Sequence, residues 1–564
     1  MPTISVDQAV LRSLVERGGH VHNIEKIESL LPLLGTDIDR CTAETLDIEI
    51  FPDRPDLLSA ETLSRGIRAF VHHEAMSTHL SAQPATTSMD VDPNLDSIRP
   101  FVVCAIVRGV NLGSTEAERD ASIRRLMDHQ EKLHFAVGRG RRRASIGVHD
   151  LDTIRPPFRA IAASRSHSFV PLASTTEMTI DEILNSHPKG RDYAHLLEGM
   201  EHVPLLLDAD DAVISFPPII NGVQTTVTPS TTSMLVDVTG WDMVACEASL
   251  QLVCLQLCAM GGTIEAVQVN GGAAHGLHPR TAPEHHRLTK ARVEMLLGRT
   301  FSTEDVRHAN RRMGGDVVEE TDLAWTIAMP RWRTDLLHEV DVVEDLAIGH
   351  GYEDLGEASP RAPAHGTPRP DGHVRRRLRA MATGLGLTEV QSLTLSNDAD
   401  QFEHTRWAPS HAVTRITNPI TVDHTILRQH LLPGLLRLLA ANRHHDLPQG
   451  VFELGTVVRD HANHQRLGML VAEAAGGFAA ARGRVQALLQ ALGAKDEDVE
   501  VQPLPDGDGP WLAGRAAKVL VRGAWIGCFG ELDPRVALSF DLNVPLNGAE
   551  FDLEALDAAL PDPV

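Results

Sequence analysis

The chain has 564 residues, too many for one hydrophobic core; at roughly 150 residues per domain it divides into three or four. It carries 76 acidic against 52 basic residues, a net charge of −24, and only 6 of the basic residues are Lys. That balance excludes a general nucleic-acid binder, because non-specific phosphate binding needs local positive charge, and it leaves any RNA contact to patches.

Residues 1–78 read as a small α+β unit: a helix over Val6 to Arg17, a strand over Leu46 to Ile50, and a helix starting near Ser59. Between the last two lies Phe51-Pro52-Asp53-Arg54-Pro55-Asp56-Leu57-Leu58-Ser59, where two prolines stiffen a turn and Ser59 is placed to cap the helix. Residues 79–100, rich in Ser, Thr, Pro and Asp, read as a linker. From 101 to 272 strands and helices alternate as in an α/β unit, with Val102 to Val107 as a strand and Ala117 to Phe135 as a helix. Residues 279–355 hold a helix at Lys290 to Leu297 and a second capped by Ser302 and ended by Gly314-Gly315. Two strand-like runs and an acidic helix complete that unit. The run 356–372, with four prolines, is a second linker, and 373–564 passes from a long helix pattern to strands such as Lys518 to Val521. The six cysteines form no C-x-x-C pair, which argues for buried thiols in a reducing compartment. No charged-then-apolar leader opens the chain and no apolar run reaches the roughly 18 to 20 residues of a membrane span, so the expectation is a soluble, cytoplasmic protein without a membrane partner.

Three sets of residues point to chemistry. In the stretch from Met329 to Tyr352, Leu336, Leu337, Val340, Val343 and Leu346 make one apolar stripe, while Asp341, Glu344 and Asp345 share a face at i, i+3 and i+4, with Asp335 just ahead. Carboxylates held that close repel unless a cation sits among them. A hard divalent ion with oxygen ligands, Mg²⁺ foremost, fits; the alternative is a solvated acidic face. In the α/β unit, Gln130 to His134, Ala144 to Asp150, Ile214 to Gly222 and Asp237 to Gly240 stand out. Pro217-Pro218 forces a rigid edge that cannot enter a central strand, leaving Ser215, Asn221 and backbone carbonyls for a ligand or for a satisfied structural loop. Arg139, Arg141, Arg142 and Arg143 form the one basic patch, a candidate RNA contact. The last unit holds Ile416-Thr417-Asn418-Pro419, the leucine-rich Leu431 to Leu436, and Phe452-Glu453; it has neither a G-x-G-x-G-x-E-R string nor an F-R-x-E pairing that would hold ATP.

These stretches, in order and over essentially the whole chain, resemble the β subunit of phenylalanyl-tRNA synthetase of the archaeal and eukaryotic type. The corner departs from that family's N-P-D-R-P-D-L-L-S only at Phe51. The resemblance implies a multidomain α/β and α+β fold: a small N-terminal domain, an α/β editing domain, a winged-helix-like Mg²⁺-binding domain, and an antiparallel-sheet domain like a class II synthetase that has lost its active site. It implies a catalytic α subunit as partner in an (αβ)₂ assembly, tRNA(Phe) as ligand, ATP used mainly by α, and hydrolysis of tyrosine wrongly esterified to the tRNA. It makes Asp335, Asp341, Glu344 and Asp345 the Mg²⁺ ligands. Ser215, Pro217, Pro218, Asn221, Asp237 and Thr239 are the expected editing residues: Asp237 or Asn221 engages the tyrosine, Ser215 and Thr239 orient a water, and His149-Asp150 stand next in line. A free-standing deacylase or binding protein is the competing expectation; the leucine-rich run, an interface or core helix, argues against it when taken as a docking face.

Overall fold

In the computed structural model residues 2–356, 366–369 and 372–560 are described. They fall into two units, residues 1–359 and 360–564. The first begins with a three-stranded antiparallel sheet in which Thr45–Ile50 lies between Thr3–Asp7 and Thr36–Cys41. Leu46, Ile48 and Ile50 alternate inward against the helices Gln8–Arg17 and Ala60–Phe70. The expected start of the first helix at Val6 is corrected: Ile4 and Val6 are buried with a period of two, and Asp7 caps the helix by accepting from Ala9 N. Ser59 caps the helix Ala60–Phe70, accepting from Thr62 N at 3.1 Å. This unit has no separate core. Leu11 and Phe70 belong to one apolar cluster with Val103, Leu252 and Trp332, as suits a segment too small to bury enough surface alone.

Residues 79–100 are not a linker. Gln83–Val91 is an inner strand of a ten-stranded sheet, parallel to Phe158–Ser164 on one side and Thr263–Asn270 on the other. Its Ser, Thr, Pro and Asp content suggests a loop by polarity, whereas Thr is also a strand former and Met89 and Val91 point inward. The sheet continues through Phe101–Arg108 and Ser233–Gly240 to the edge strand Ala144–Asp150, every residue of which is buried. The other edge is His202–Leu207, Val213–Phe216 and Ile220–Asn221. Helices Glu116–Ala136 and Met243–Ala259 cover one face. From the first, Gln130 Nε2 donates to Ile146 O at 2.7 Å and His134 Nε2 accepts from Ile146 N at 2.8 Å, so this helix fixes the edge strand.

Residues 284–350 form a smaller module: strands Glu284–Thr289, Ala324–Met329 and Asp316–Glu320, with helices Lys290–Leu297, Thr303–Arg312 and Glu339–His350. Ser302 and Asp305 form the expected capping box. The apolar stripe of the acidic helix is corrected. The helix starts at Glu339 and turns Val342, Val343, Leu346 and Ala347 inward; of the expected stripe Leu336, Val343 and Leu346 are buried, whereas Leu337, ahead of the helix, and Val340, on its outer face, are exposed.

The second unit is a seven-stranded sheet ordered 388–389, 449–459, 462–472, 546–552, 524–532, 511–521, 499–503, antiparallel except for its first pair. Helices Gly372–Gly384, Phe478–Ala491 and Leu553–Ala559 pack on one side, Leu432–Ala441 and Pro534–Ser539 on the other. Leu431, Leu432, Leu435, Leu436 and Leu439 are at most 2% exposed, so the leucine-rich run is core and not a docking face. Exposed apolar side chains here include Leu393, Ile420, Val422, Trp525 and Leu538. Of the linker expected at 356–372, residues 357–365, 370 and 371 lie outside the described residues.

Candidate functional site

A cavity of about 260 Å³ opens beside the edge strand of the ten-stranded sheet. Ser215, Pro217, Pro218 and Asn221 of one corner, and Asp237 from the strand that follows it, all line it. Met127, Ile146, Phe216 and Ile219 make its walls apolar, and Ser145 and Gly147 lie beside Asp237. The register explains the grouping: in the antiparallel pair Gly147 faces Asp237, Ser145 faces Thr239, and His149 faces Leu235, so these residues share one face. The Pro217-Pro218 corner is held by Arg141, which also lines the cavity and whose Nη1 donates to Pro218 O at 3.2 Å and to Ile219 O at 3.0 Å. Its Nη2 donates to Glu131 Oε1 at 2.6 Å, and the guanidinium lies 4.2 Å over the Tyr193 ring. Hydrogen bonding from His134 and the charge of Arg141 hold the Glu131 carboxyl down at about 2.

Asp237 is almost fully buried. His149 Nε2 donates to its Oδ1 at 2.6 Å, and His149 Nδ1 meets Thr225 Oγ1 at 2.9 Å. Ser215 Oγ donates to Asn221 Oδ1 at 3.2 Å. Thr239 does not line the cavity. Its hydroxyl accepts from Arg99 Nε at 2.7 Å and lies 3.3 Å from Ser145 Oγ, so it is spent within the sheet and is not free to orient a water. Burial of Arg99 lowers its guanidinium to about 10. Asp150 also turns away, accepting from Thr231 Oγ1 at 2.5 Å and Asp152 N at 3.0 Å. Sequence reading missed Gly147, Thr225 and Arg99, because only strand register and a crossing loop bring them to Asp237.

The basic patch is corrected in the same way. Arg141 is buried in the cavity wall, Arg143 pairs with Asp242, and Arg139 and Arg142 are exposed. Two exposed arginines in a chain of this charge are a poor RNA footprint.

The acidic residues gather, with a difference from expectation. Arg333, nearly fully buried, donates to Asp335 Oδ2 at 2.7 Å, to both oxygens of Asp345 at 2.9 Å and to Met313 O at 3.0 Å. Asp341 Oδ2 accepts from the backbone N–H groups of Leu337 and His338, each at 2.7 Å. Glu344 is exposed and makes no described hydrogen bond. Partial burial and the charges of Asp345, Asp53, Asp341 and Asp335 push its carboxyl above the usual range; Asp345 is pushed up by burial against the pull of Arg333. Asp53 comes from the proline corner of the N-terminal segment. Beside it Arg54 is matched by Asp56 through bonds of 2.9 and 2.8 Å. Of the five carboxylates gathered here, Arg333 matches Asp335 and Asp345, while Asp341, Glu344 and Asp53 add negative charge that it does not pair. Among the described residues no three His, Cys, Asp or Glu side chains already converge as a metal-binding set. The donors are nonetheless hard oxygens in excess negative charge, which is the chemistry Mg²⁺ fits.

Comparison with known proteins matches residues 356–553 to the phenylalanyl tRNA synthetase beta chain CLM domain, 286–352 to the tRNA synthetase B5 domain and 99–256 to the B3/4 domain. The chain is 36% identical to the phenylalanine–tRNA ligase beta subunit of Methanococcoides burtonii, over 98% of this chain and 100% of that one. It is 39% identical to that of Methanosarcina barkeri, over 94% and 96%. An N-terminal fragment of the phenylalanyl-tRNA synthetase beta subunit from Pyrococcus horikoshii superimposes with a TM-score of 0.57 at 30% identity, covering 62% of this chain and all of the fragment.

Proposed function

The chain belongs to the phenylalanine–tRNA ligase β-subunit family, and from that premise we propose that it joins an α subunit as (αβ)₂ and proofreads the tRNA product by hydrolysing tyrosyl esters. As a β subunit it is part of an enzyme that attaches phenylalanine to tRNA with ATP. No described helix is long and apolar enough to cross a membrane. The observation that carries the proofreading reading is a buried carboxylate, Asp237, at an apolar cavity. A ring fits such walls, and the carboxylate accepts a hydrogen bond from a phenol that phenylalanine does not have. With Thr239 engaged elsewhere, Ser215 is the one of the two expected hydroxyls that lines the cavity, and it orients a water through the lone pairs left free by its bond to Asn221. No Cys or Ser nucleophile stands against a histidine base there, so water attacks the ester directly. The test is release of tyrosine from tyrosyl-tRNA(Phe) by the complex assembled with its α subunit; a complex that leaves that ester at its spontaneous rate rules the reading out.

Adenylate formation falls to the α subunit. In the second unit Glu453 accepts from Arg428 Nη2 at 2.7 Å and Ser392 Oγ at 2.5 Å, leaving it unavailable to a nucleotide. Leu431 lies against Gly455 and Gly468: a Cβ at Gly468 would be 2.8 Å from Leu431 Cβ, so the chain's own leucine covers that part of the sheet. The purified β chain is expected to give no phenylalanine-dependent ATP–pyrophosphate exchange. Exchange above background in a preparation free of α would overturn this.

The acidic centre is read as an Mg²⁺ site built on Asp341 and Glu344, with Asp335 and Asp345 contributing through oxygens shared with Arg333 and through water, since Mg²⁺ keeps several waters. The ion supplies positive charge where the N-terminal corner meets the acidic helix. Asp341→Asn with Glu344→Gln is expected to abolish the rise of Tm with added Mg²⁺ while leaving the ion-free protein at least as stable. An unchanged response to Mg²⁺ leaves the solvated acidic face as the reading.

A further inference from the structure

We infer that His149 is the positioning residue that gives the cavity its selectivity, by holding the Asp237 carboxylate in the one orientation that reads a phenol. This rests on the proofreading reading of the cavity and deepens it. His149 is fully buried and does not line the cavity; Asp237 does. The imidazole therefore acts through the carboxylate and not on the ligand.

The geometry is specific. His149 lies diagonal to Asp237 across the pair of strands, and the residue directly opposite Asp237 is Gly147. A Cβ on Gly147 would fall on Asp237 Oδ1 and lie 2.6 Å from His149 Nε2, so glycine is what lets the ring cross the pair and reach the carboxylate. At 2.6 Å the contact is a short charge-assisted hydrogen bond, which with an ionised carboxylate requires the proton on Nε2. The other ring nitrogen fixes the imidazole: Nδ1 is 2.9 Å from Thr225 Oγ1, and that hydroxyl is 3.1 Å from Gly222 O. Thr225 is itself buried. Thr225, His149 and Asp237 form one chain of hydrogen bonds that ends on Oδ1. Oδ2 of Asp237 has no described partner, and this is the oxygen left for a ligand hydroxyl.

A buried acceptor fixed in place penalises a ligand that cannot satisfy it, and rejection of an analogue lacking a hydroxyl depends on that penalty. A carboxylate free to rotate finds another partner and loses the discrimination. Asp237 supplies the acceptor; His149 and Thr225 supply its rigidity.

The experiment uses the complex with its α subunit and measures hydrolysis of tyrosyl- and phenylalanyl-tRNA(Phe) separately. His149→Leu is expected to lower kcat/KM for the tyrosyl ester about 10- to 100-fold, as the loss of a hydrogen bond to a charged group does, while the slow phenylalanyl reaction stays within a few-fold. His149→Gln, which keeps an N–H donor at comparable reach, is expected to recover most of the selectivity. Thr225→Val is expected to move selectivity in the same direction by a smaller factor. Phenylalanine charging, which occurs elsewhere, serves as the control for intact assembly. Parent-like selectivity in His149→Leu overturns the inference. So does equal loss for both esters, or a Gln variant no better than Leu, since either is what mere loss of folding produces. If His149→Leu does not assemble, Thr225→Val against the parent decides alone. A parent complex that hydrolyses neither ester refutes the proofreading reading itself, a result distinct from all of these.

Discussion

Asp237→Ala in the assembled enzyme is expected to spare phenylalanine charging and let tyrosyl-tRNA(Phe) accumulate. An apolar pocket for phenylalanine rejects an added hydroxyl only weakly, by about 10²-fold in comparable synthetases, so tyrosine enters the charging step at a measurable rate. A second site that hydrogen-bonds the hydroxyl discriminates far better, by about 10⁴- to 10⁵-fold in sites built that way, because the analogue leaves a buried polar group unpaired. Asp237 is the buried carboxylate lining the cavity, and Glu131, the other carboxylate there, is held by Arg141, so removal of Asp237 is expected to cost at least about 10²-fold in tyrosyl-ester hydrolysis. Thr239→Ala is expected to do less, since that hydroxyl is bound to Arg99 and not presented to a ligand. Misacylation assays with tyrosine and ATP over time separate the two. Clearance at the parent rate by the Asp237 variant would place the hydrolytic site outside this cavity.

The largest stability effect is expected at Arg333. Its guanidinium is shared by two carboxylates, one of them on the fully packed side of the acidic helix. Truncating one partner of a buried ion pair costs about 3–5 kcal/mol, because the remaining charge is left without compensation. Arg333→Met keeps the stem and removes the charge, leaving Asp335 and Asp345 to repel each other and their neighbours. Urea unfolding of the variant is expected to show a loss in that range, partly recovered in Arg333→Met with Asp345→Asn, where one of the stranded charges is gone. A loss below about 1 kcal/mol would mean that solvent reaches these carboxylates more freely than their burial implies.

Local patterns were legible where they are complete within one segment. The helix Lys290–Leu297 and the Ser302 cap with Asp305 were read as they stand, since propensity and capping act over a few residues. The segment 83–91 was not, because its place between two parallel neighbours is decided by residues 158–164 and 263–270. The leucine-rich run shows the same limit: periodicity marks an apolar face but not what covers it.

For the functional residues the division is sharper. Residue type and short spacing suffice to single out Ser215 and Asn221 at the proline corner and the excess of carboxylates between 335 and 345, while Asp237 enters through the family resemblance. Tertiary structure alone decided which groups are free to act. Arg333 takes up Asp335 and Asp345, Arg99 takes up Thr239, and Arg141 is drawn from the surface to brace Pro218. Asp53 joins the acidic helix from nearly three hundred positions away, and His149 reaches Asp237 only through the register of two strands. A side chain's chemistry is fixed by its type, but its availability depends on which donors and acceptors the fold places within about 3 Å, and that distance is not encoded in any one segment.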